Sequence, residues 1–296
     1  MEYDYPPITP CVPLDSTGSG GEDLTCANSW TNIAMNVFGD FVGRWLNDSM
    51  TCNGGLKWQY RTSQAGYWYK NSVSNGGFFQ TSARLARYTG NSVFAMWAAT
   101  IWDWSSQTGL ISSDYHVYDG ASDQNGANCS SINPLEWSYN IGSYLHGAAH
   151  MYAYSQSANA TQEGTEWEQR VQGLLKTIQS VFFSPFSNAT NIMFEPECEE
   201  ASTCSTDQES FKASLAQWLG KTAVLVPSVA GDIQTMMQAT AQGVASSCSG
   251  QGANTCGMKY YIGGWDGQAS LGVQLSALET VQSLLVSDAP QFATEA

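Results

Sequence analysis

Gly77-Phe78-Phe79-Gln80-Thr81-Ser82-Ala83-Arg84-Leu85-Ala86-Arg87-Tyr88 reads as a helix, closed by a Gly-Asn turn and followed by a second, Trp-bearing helix. Roughly 65 residues later the pattern returns as Gly142-Ser143-Tyr144-Leu145-His146-Gly147-Ala148-Ala149-His150-Met151-Tyr152, again followed by a polar turn and a Trp-bearing helix. The unit is one helical hairpin plus a long loop. Such a unit cannot bury its apolar face alone, so copies stack into a solenoid or close into an α/α toroid. The small residues Gly147, Ala148 and Ala149 suit a tightly packed inner helix. A plain helical bundle is the alternative. Long Trp-bearing loops favour the toroid, where loops gather over one mouth.

Outward from this stretch the helical period continues. Trp30, Ile33, Ala34, Val37, Phe38, Phe41, Val42 and Trp45 follow the i, i+3, i+4, i+7 rule, with Ser29 placed to cap them. Eight helices are predicted, at about 30–45, 75–88, 91–106, 137–155, 164–182, 207–220, 228–246 and 268–286. The intervening stretches 52–73 and 107–133 carry β-like pieces such as Leu56-Lys57-Trp58-Gln59-Tyr60, which predict short hairpins and no central sheet. Residues 1–29 read as a Pro/Gly-rich loop, 30–286 as the helical domain and 287–296 as a tail.

Composition narrows the function. The chain has 296 residues, and a 43% hydrophobic share is enough for a core and excludes global disorder. With 11 Lys+Arg against 26 Asp+Glu and a net charge of −15, it cannot neutralise a phosphate backbone, which excludes nucleic acid as partner. No apolar run is long enough to span a membrane. Eleven Trp and 14 Tyr in a weakly charged, acidic chain suit a secreted, sugar-handling protein.

The eight cysteines contain no C-x-x-C, and three scattered His give no zinc pattern. Close spacing suggests Cys11–Cys26, Cys198–Cys204 and Cys248–Cys256, leaving Cys52 and Cys129 for a long-range bridge. Eight Cys allow on the order of a hundred connectivities, so other pairings stay open. Sequons start at Asn47, Asn128, Asn159 and Asn188. They and the even cysteine count favour an oxidising, glycosylating compartment. The start Met1-Glu2-Tyr3-Asp4-Tyr5-Pro6-Pro7 is not a signal peptide.

Longer blocks carry a resemblance. Cys52-Asn53-Gly54-Gly55-Leu56-Lys57-Trp58-Gln59, Tyr69-Lys70-Asn71-Ser72-Val73-Ser74-Asn75-Gly76 and Ala83-Arg84-Leu85-Ala86-Arg87-Tyr88-Thr89-Gly90 resemble fungal glycoside hydrolase family 76, the endo-α-1,6-mannanase-like proteins. So do Val117-Tyr118-Asp119-Gly120, Trp137-Ser138-Tyr139-Asn140, Asp207-Gln208-Glu209-Ser210-Phe211-Lys212 and Leu271-Gly272-Val273-Gln274-Leu275-Ser276-Ala277-Leu278-Glu279. The resemblance runs from about residue 30 to about residue 286. It implies an all-α (α/α)6 toroid of six hairpins acting on α-1,6-mannan or a related cell-wall glycan. It also implies a retaining mechanism on an adjacent Asp pair, one carboxylate as nucleophile and one as acid/base.

Eight helices against the family's twelve predict an incomplete toroid with exposed apolar inner-helix faces. The sequence contains no Asp-Asp dipeptide, so no catalytic residue is assigned. The expectation is a chain beginning just after the catalytic motif. A non-catalytic mannan binder or truncated product is the competing reading. No cofactor or metal is expected. A monomer, extracellular or in the cell wall, is. Some family members carry a C-terminal lipid-anchor signal, and this sequence ends without its apolar tail.

Candidate sugar contacts are Trp58 and Gln59, Asn75, Asp119, Tyr139 and Asn140, and Asp207, Gln208 and Lys212. A Trp face stacks on a pyranose, while amides and carboxylates bind its hydroxyls. Each has a structural alternative. Trp58 could plug its loop, Asn75 could cap a helix and Asp119 could shape a turn. Asp207 could cap the helix that Lys212 opens, with Lys212 pairing to it. Glu199-Glu200 reads as an exposed acidic loop. Trp97, Trp102, Trp104, Trp167 and Trp218 read as core, and His116, His146 and His150 as structural.

Overall fold

A computed structural model describes residues 30–288. It contains eight helices: α1 (Trp30–Asn47), α2 (Ser72–Thr89), α3 (Ser92–Gln107), α4 (Ser138–Ser157), α5 (Thr161–Val181), α6 (Phe211–Leu225), α7 (Ala230–Ser247) and α8 (Leu271–Gln282). The predicted helices are all present. The second begins three residues early, because Asn71 and not Asn75 caps it, accepting from the Ser74 amide. It ends at Gly90, whose left-handed backbone (φ 70°) sends its N–H back to the Ala86 carbonyl. The proposed Ser29 cap, the 1–29 loop and Cys11–Cys26 lie outside the described residues, as does most of the 287–296 tail.

α2, α4, α6 and α8 pack side by side in that order. α1 and α3 lie against α2, α5 against α4, and α7 against α6 and α8. Four inner and four outer helices are thus two hairpins fewer than a closed (α/α)6 ring. The inner row is held by close approach. A Cβ at Gly147 would fall 2.4 Å from the Phe79 ring, so only glycine lets α4 meet α2 there. Phe79 stacks on Tyr144 and Trp167 with centroids 5.7 and 5.8 Å away. Phe38, Trp45, Phe78 and Trp97 form a second aromatic nucleus between α1, α2 and α3. Trp97, Trp102, Trp104 and Trp167 are buried, as expected, and Trp218 is partly exposed beside His146.

Apolar faces remain open at both ends of the row. Leu271, Leu275 and Leu278 are exposed along α8, and Trp30, Ile33 and Val37 along α1. Turns from inner to outer helices are short: 90–91, 158–160 and 226–229. Connections from outer to inner helices are long: 48–71, 108–137, 182–210 and 248–270. All long loops therefore meet at the N-terminal ends of the inner helices, the single mouth that the sequence predicted.

A small antiparallel sheet, β1 (Tyr69–Asn71), β2 (Tyr118–Ser122) and β3 (Ile132–Glu136), joins the first two loops. The β-like piece 56–60 forms no strand; Lys57 makes one isolated bridge to Lys70. Disulfides Cys52–Cys129, Cys198–Cys204 and Cys248–Cys256 form as proposed.

Candidate functional site

The long loops are tied into a belt. Asp123 ties the first two loops together, accepting from the Thr51 hydroxyl at 2.8 Å and pairing with Lys57 at 3.4 Å. Lys70, fully buried, donates to the carbonyls of Asp48, Thr51 and Gly54. Burial pushes its ammonium down to about 8, against the pull of Asp123 and Asp48. At the far side, Ser138 at the start of α4 donates its amide and hydroxyl to Glu195 of the third loop. Lys212 in the first turn of α6 pairs with Glu199 at 2.9 Å and donates to the Met258 carbonyl of the fourth loop at 2.5 Å.

Within this belt lies a polar cluster centred on Asp119 of β2. Its Oδ2 accepts from the Tyr69 hydroxyl at 2.7 Å and from Asn133 Nδ2 at 3.3 Å. Its Oδ1 accepts from Asn140 Nδ2 at 3.4 Å. The Tyr69 ring crosses Gly120, where a Cβ would sit 2.6 Å from its Cζ, so glycine opens the path to Asp119. Donation to Asp119 fixes the orientation of the Asn140 amide. Its Oδ1 is then buried and without a hydrogen-bond partner. An orphaned buried acceptor costs about 1–3 kcal/mol. Tyr139, next along α4, packs on Phe211 with ring centroids 4.0 Å apart. Burial raises its phenol above the ordinary range, and Asp119, Asp207 and Glu195 add to that.

The structure thus gathers Asp119, Tyr139 and Asn140, with Asp207 close enough to act on Tyr139. Trp58 stands half-exposed nearby, its N–H bonded to the Tyr69 carbonyl. Gln59 beside it and Gln208, which accepts from the Ser205 amide, are partly exposed.

Three sequence readings need correction. Asn75 is fully buried, and its amide binds both the N–H and the carbonyl of Leu56 and the Asn71 carbonyl; it pins the first loop to α2 and neither caps nor faces sugar. Lys212 does not pair with Asp207. Asp207 is exposed in the turn ahead of α6 and makes no side-chain cap, whereas Lys212 points inward. Its partner Glu199 is fully buried, not on an exposed loop; it pairs with Lys212 and accepts from the Glu195 amide at 2.9 Å. Glu200 alone matches the exposed reading.

Sequence reasoning missed Tyr69, Asn133 and Glu195. Tyr69 lay within a quoted block, and Glu195 and Glu199 flank Cys198 one helical turn apart. The sequon residues Asn47, Asn128, Asn159 and Asn188 are all exposed, although the Asn128 side-chain Oδ1 accepts from the Cys52 amide. His146 and His150 lie deep in α4 with Nε2 atoms 3.1 Å apart. Burial, then Arg84, Arg87 and Lys221, hold both well below the histidine range.

Burial pushes Glu195 up to about 8, and Glu199 adds to the push against two hydrogen bonds from Ser138. An unfolded glutamate loses its proton near pH 4.5. Between about pH 4.5 and about pH 8 the folded chain therefore holds a proton that the unfolded chain has released, and folding stability falls as pH rises. Thermal unfolding of Glu195→Gln is expected to lose that slope while keeping the bonds to Ser138. An unchanged slope refutes the assignment.

Helical hairpins packed in an inner and an outer row, with every long loop at one mouth and a polar cluster there, define an α/α-toroid architecture of which the described residues hold four hairpins. The glycosyl hydrolase family 76 profile matches residues 21–296. The chain belongs to that family. The mannan endo-1,6-alpha-mannosidase DCW1 of Candida albicans is 42% identical over 267 residues, covering 88% of this chain and 56% of the relative. Mannan endo-1,6-alpha-mannosidase DFG5 of Saccharomyces cerevisiae is 39% identical, covering 88% of this chain and 54% of the relative. The crystal structure of Dfg5 from Chaetomium thermophilum in complex with glucosamine superposes with a TM-score of 0.79 at 34% identity, over 89% of this chain and 62% of that one. The chain spans about half the length of the curated relatives it matches.

Proposed function

We propose that this chain binds α-1,6-linked mannose chains at the Asp119 cluster, as the sugar-holding part of a mannan endo-1,6-alpha-mannosidase-like enzyme of retaining type. The observation that carries the reading is the buried, unpartnered Asn140 Oδ1 beside Asp119, Tyr69 and Asn133. In this reading Asp119 and Asn140 Oδ1 accept sugar hydroxyls, and the exposed Asp207 adds its charge beside Tyr139, with Gln208 following it in the chain. A retaining reaction needs two carboxyl groups about 5–5.5 Å apart across the glycosidic bond. The 296 residues hold no adjacent Asp pair, so these side chains supply binding and orientation.

The proposed setting is extracellular or in the cell wall, where three disulfides persist, with the chain monomeric. Among the described residues no helix is long and apolar enough to cross a membrane. The test is calorimetric titration of the full chain with α-1,6-linked mannotetraose. Asp119→Asn is expected to weaken binding by about tenfold, roughly 1.4 kcal/mol. Equal affinity in parent and variant removes Asp119 from the site. Reducing-sugar release from α-1,6-mannan in the same samples separates an enzyme from the non-catalytic binder.

A further inference from the structure

We infer that the loop Leu56–Trp68 is an aromatic platform that lengthens the glycan site and selects for chain length; this rests on the mannan reading above. Trp58, Tyr60 and Trp68 are 50%, 69% and 42% exposed within eleven residues. Exposed aromatic clusters on a soluble chain mark recognition surfaces. This one is held rigid from below. The Lys57 ammonium lies 4.2 Å from the ring centroids of both Tyr67 and Trp68 and pairs with Asp48 and Asp123. Arg44 donates to the Lys57 carbonyl at 3.0 Å and stands over the Tyr60 ring. Gly66, at φ 84°, sits against the Trp58 ring, where a Cβ would be 2.4 Å from Cε3.

The platform joins the cluster directly. Lys57 bridges Lys70 in antiparallel sense, which sets Trp58 opposite Tyr69, and the Trp58 N–H bonds the Tyr69 carbonyl at 2.7 Å. Residues opposed in this way share a face, and Tyr69 is the residue whose hydroxyl holds Asp119. A chain bound at Asp119 therefore runs onto Trp58. The occupant that fits is a run of pyranose rings. Each offers a patch of axial C–H to an aromatic face, and rigid rings bind it without an ordering cost.

The experiment compares α-1,6-linked mannobiose with a fragment of about ten mannoses, by titration against the full chain. Trp58→Ala and Trp68→Ala are expected to weaken the long fragment about tenfold and mannobiose less than twofold, with an unchanged melting temperature. Trp58→Phe is expected to recover most of the long-chain affinity. If the parent binds the long fragment and both alanine variants bind it equally well, or lose both ligands alike, the platform is wrong and the Asp119 site stands. If the parent binds neither ligand, both fall together.

Discussion

Lys212→Ala is expected to lose about 3–5 kcal/mol of folding stability, the usual cost of stranding one member of a buried ion pair. Lys212 and Glu199 are both fully buried, 2.9 Å apart. The ammonium also lies 3.7 Å from the Tyr260 ring centroid and holds the Met258 carbonyl. With the lysine gone, Glu199 is left as a carboxylate without counter-charge, and burial already pushes it toward the neutral form. The double variant Lys212→Met, Glu199→Gln removes both charges and is expected to recover much of the loss, since the pair itself adds little net stability. Urea midpoints measure both. A loss below about 1 kcal/mol in the single variant would show that water reaches the pair.

The second large effect is expected from Cys52→Ala, Cys129→Ala. The bridge spans 77 residues, and closing a loop of that length restricts the unfolded chain by about 4.5 kcal/mol. Removing Cys248–Cys256, which spans 8, is expected to cost only about 2–3 kcal/mol. The long bridge also fixes the Cys52 carbonyl that accepts from the Trp104 indole and joins the first loop to the second. Its loss should weaken glycan binding, whereas loss of the short bridge should not. Guanidinium unfolding of the two paired variants without reductant ranks the two bridges. The reverse ranking means that native strain outweighs chain entropy here.

The helices were legible because each carries its own apolar stripe, and a stripe of period 3.6 needs no distant partner to be read. The mouth was legible for a similar reason. Loop lengths alternate short and long along the chain, and that alternation alone puts the long loops at one end. The site was less legible because its contacts cross between loops. Nothing near Glu199 in sequence announces that a lysine thirteen residues on will neutralise it. Asn75 reads as a cap because caps and backbone clamps use the same amide, and only Leu56 across the loop decides between them. Tyr69 becomes a site residue only through Gly120, which belongs to another strand.

The alternation of loop length has a consequence for change. Turns of a few residues join each inner helix to the next outer one. An inserted residue there would rotate a helix out of its packing, so that end tolerates little drift. Connections of some twenty to thirty residues cross the opposite end, braced by disulfides and buried charges. There a residue can be gained or exchanged without moving an inner helix. Variation in glycan preference can thus accumulate on one face while the frame beneath stays as it was.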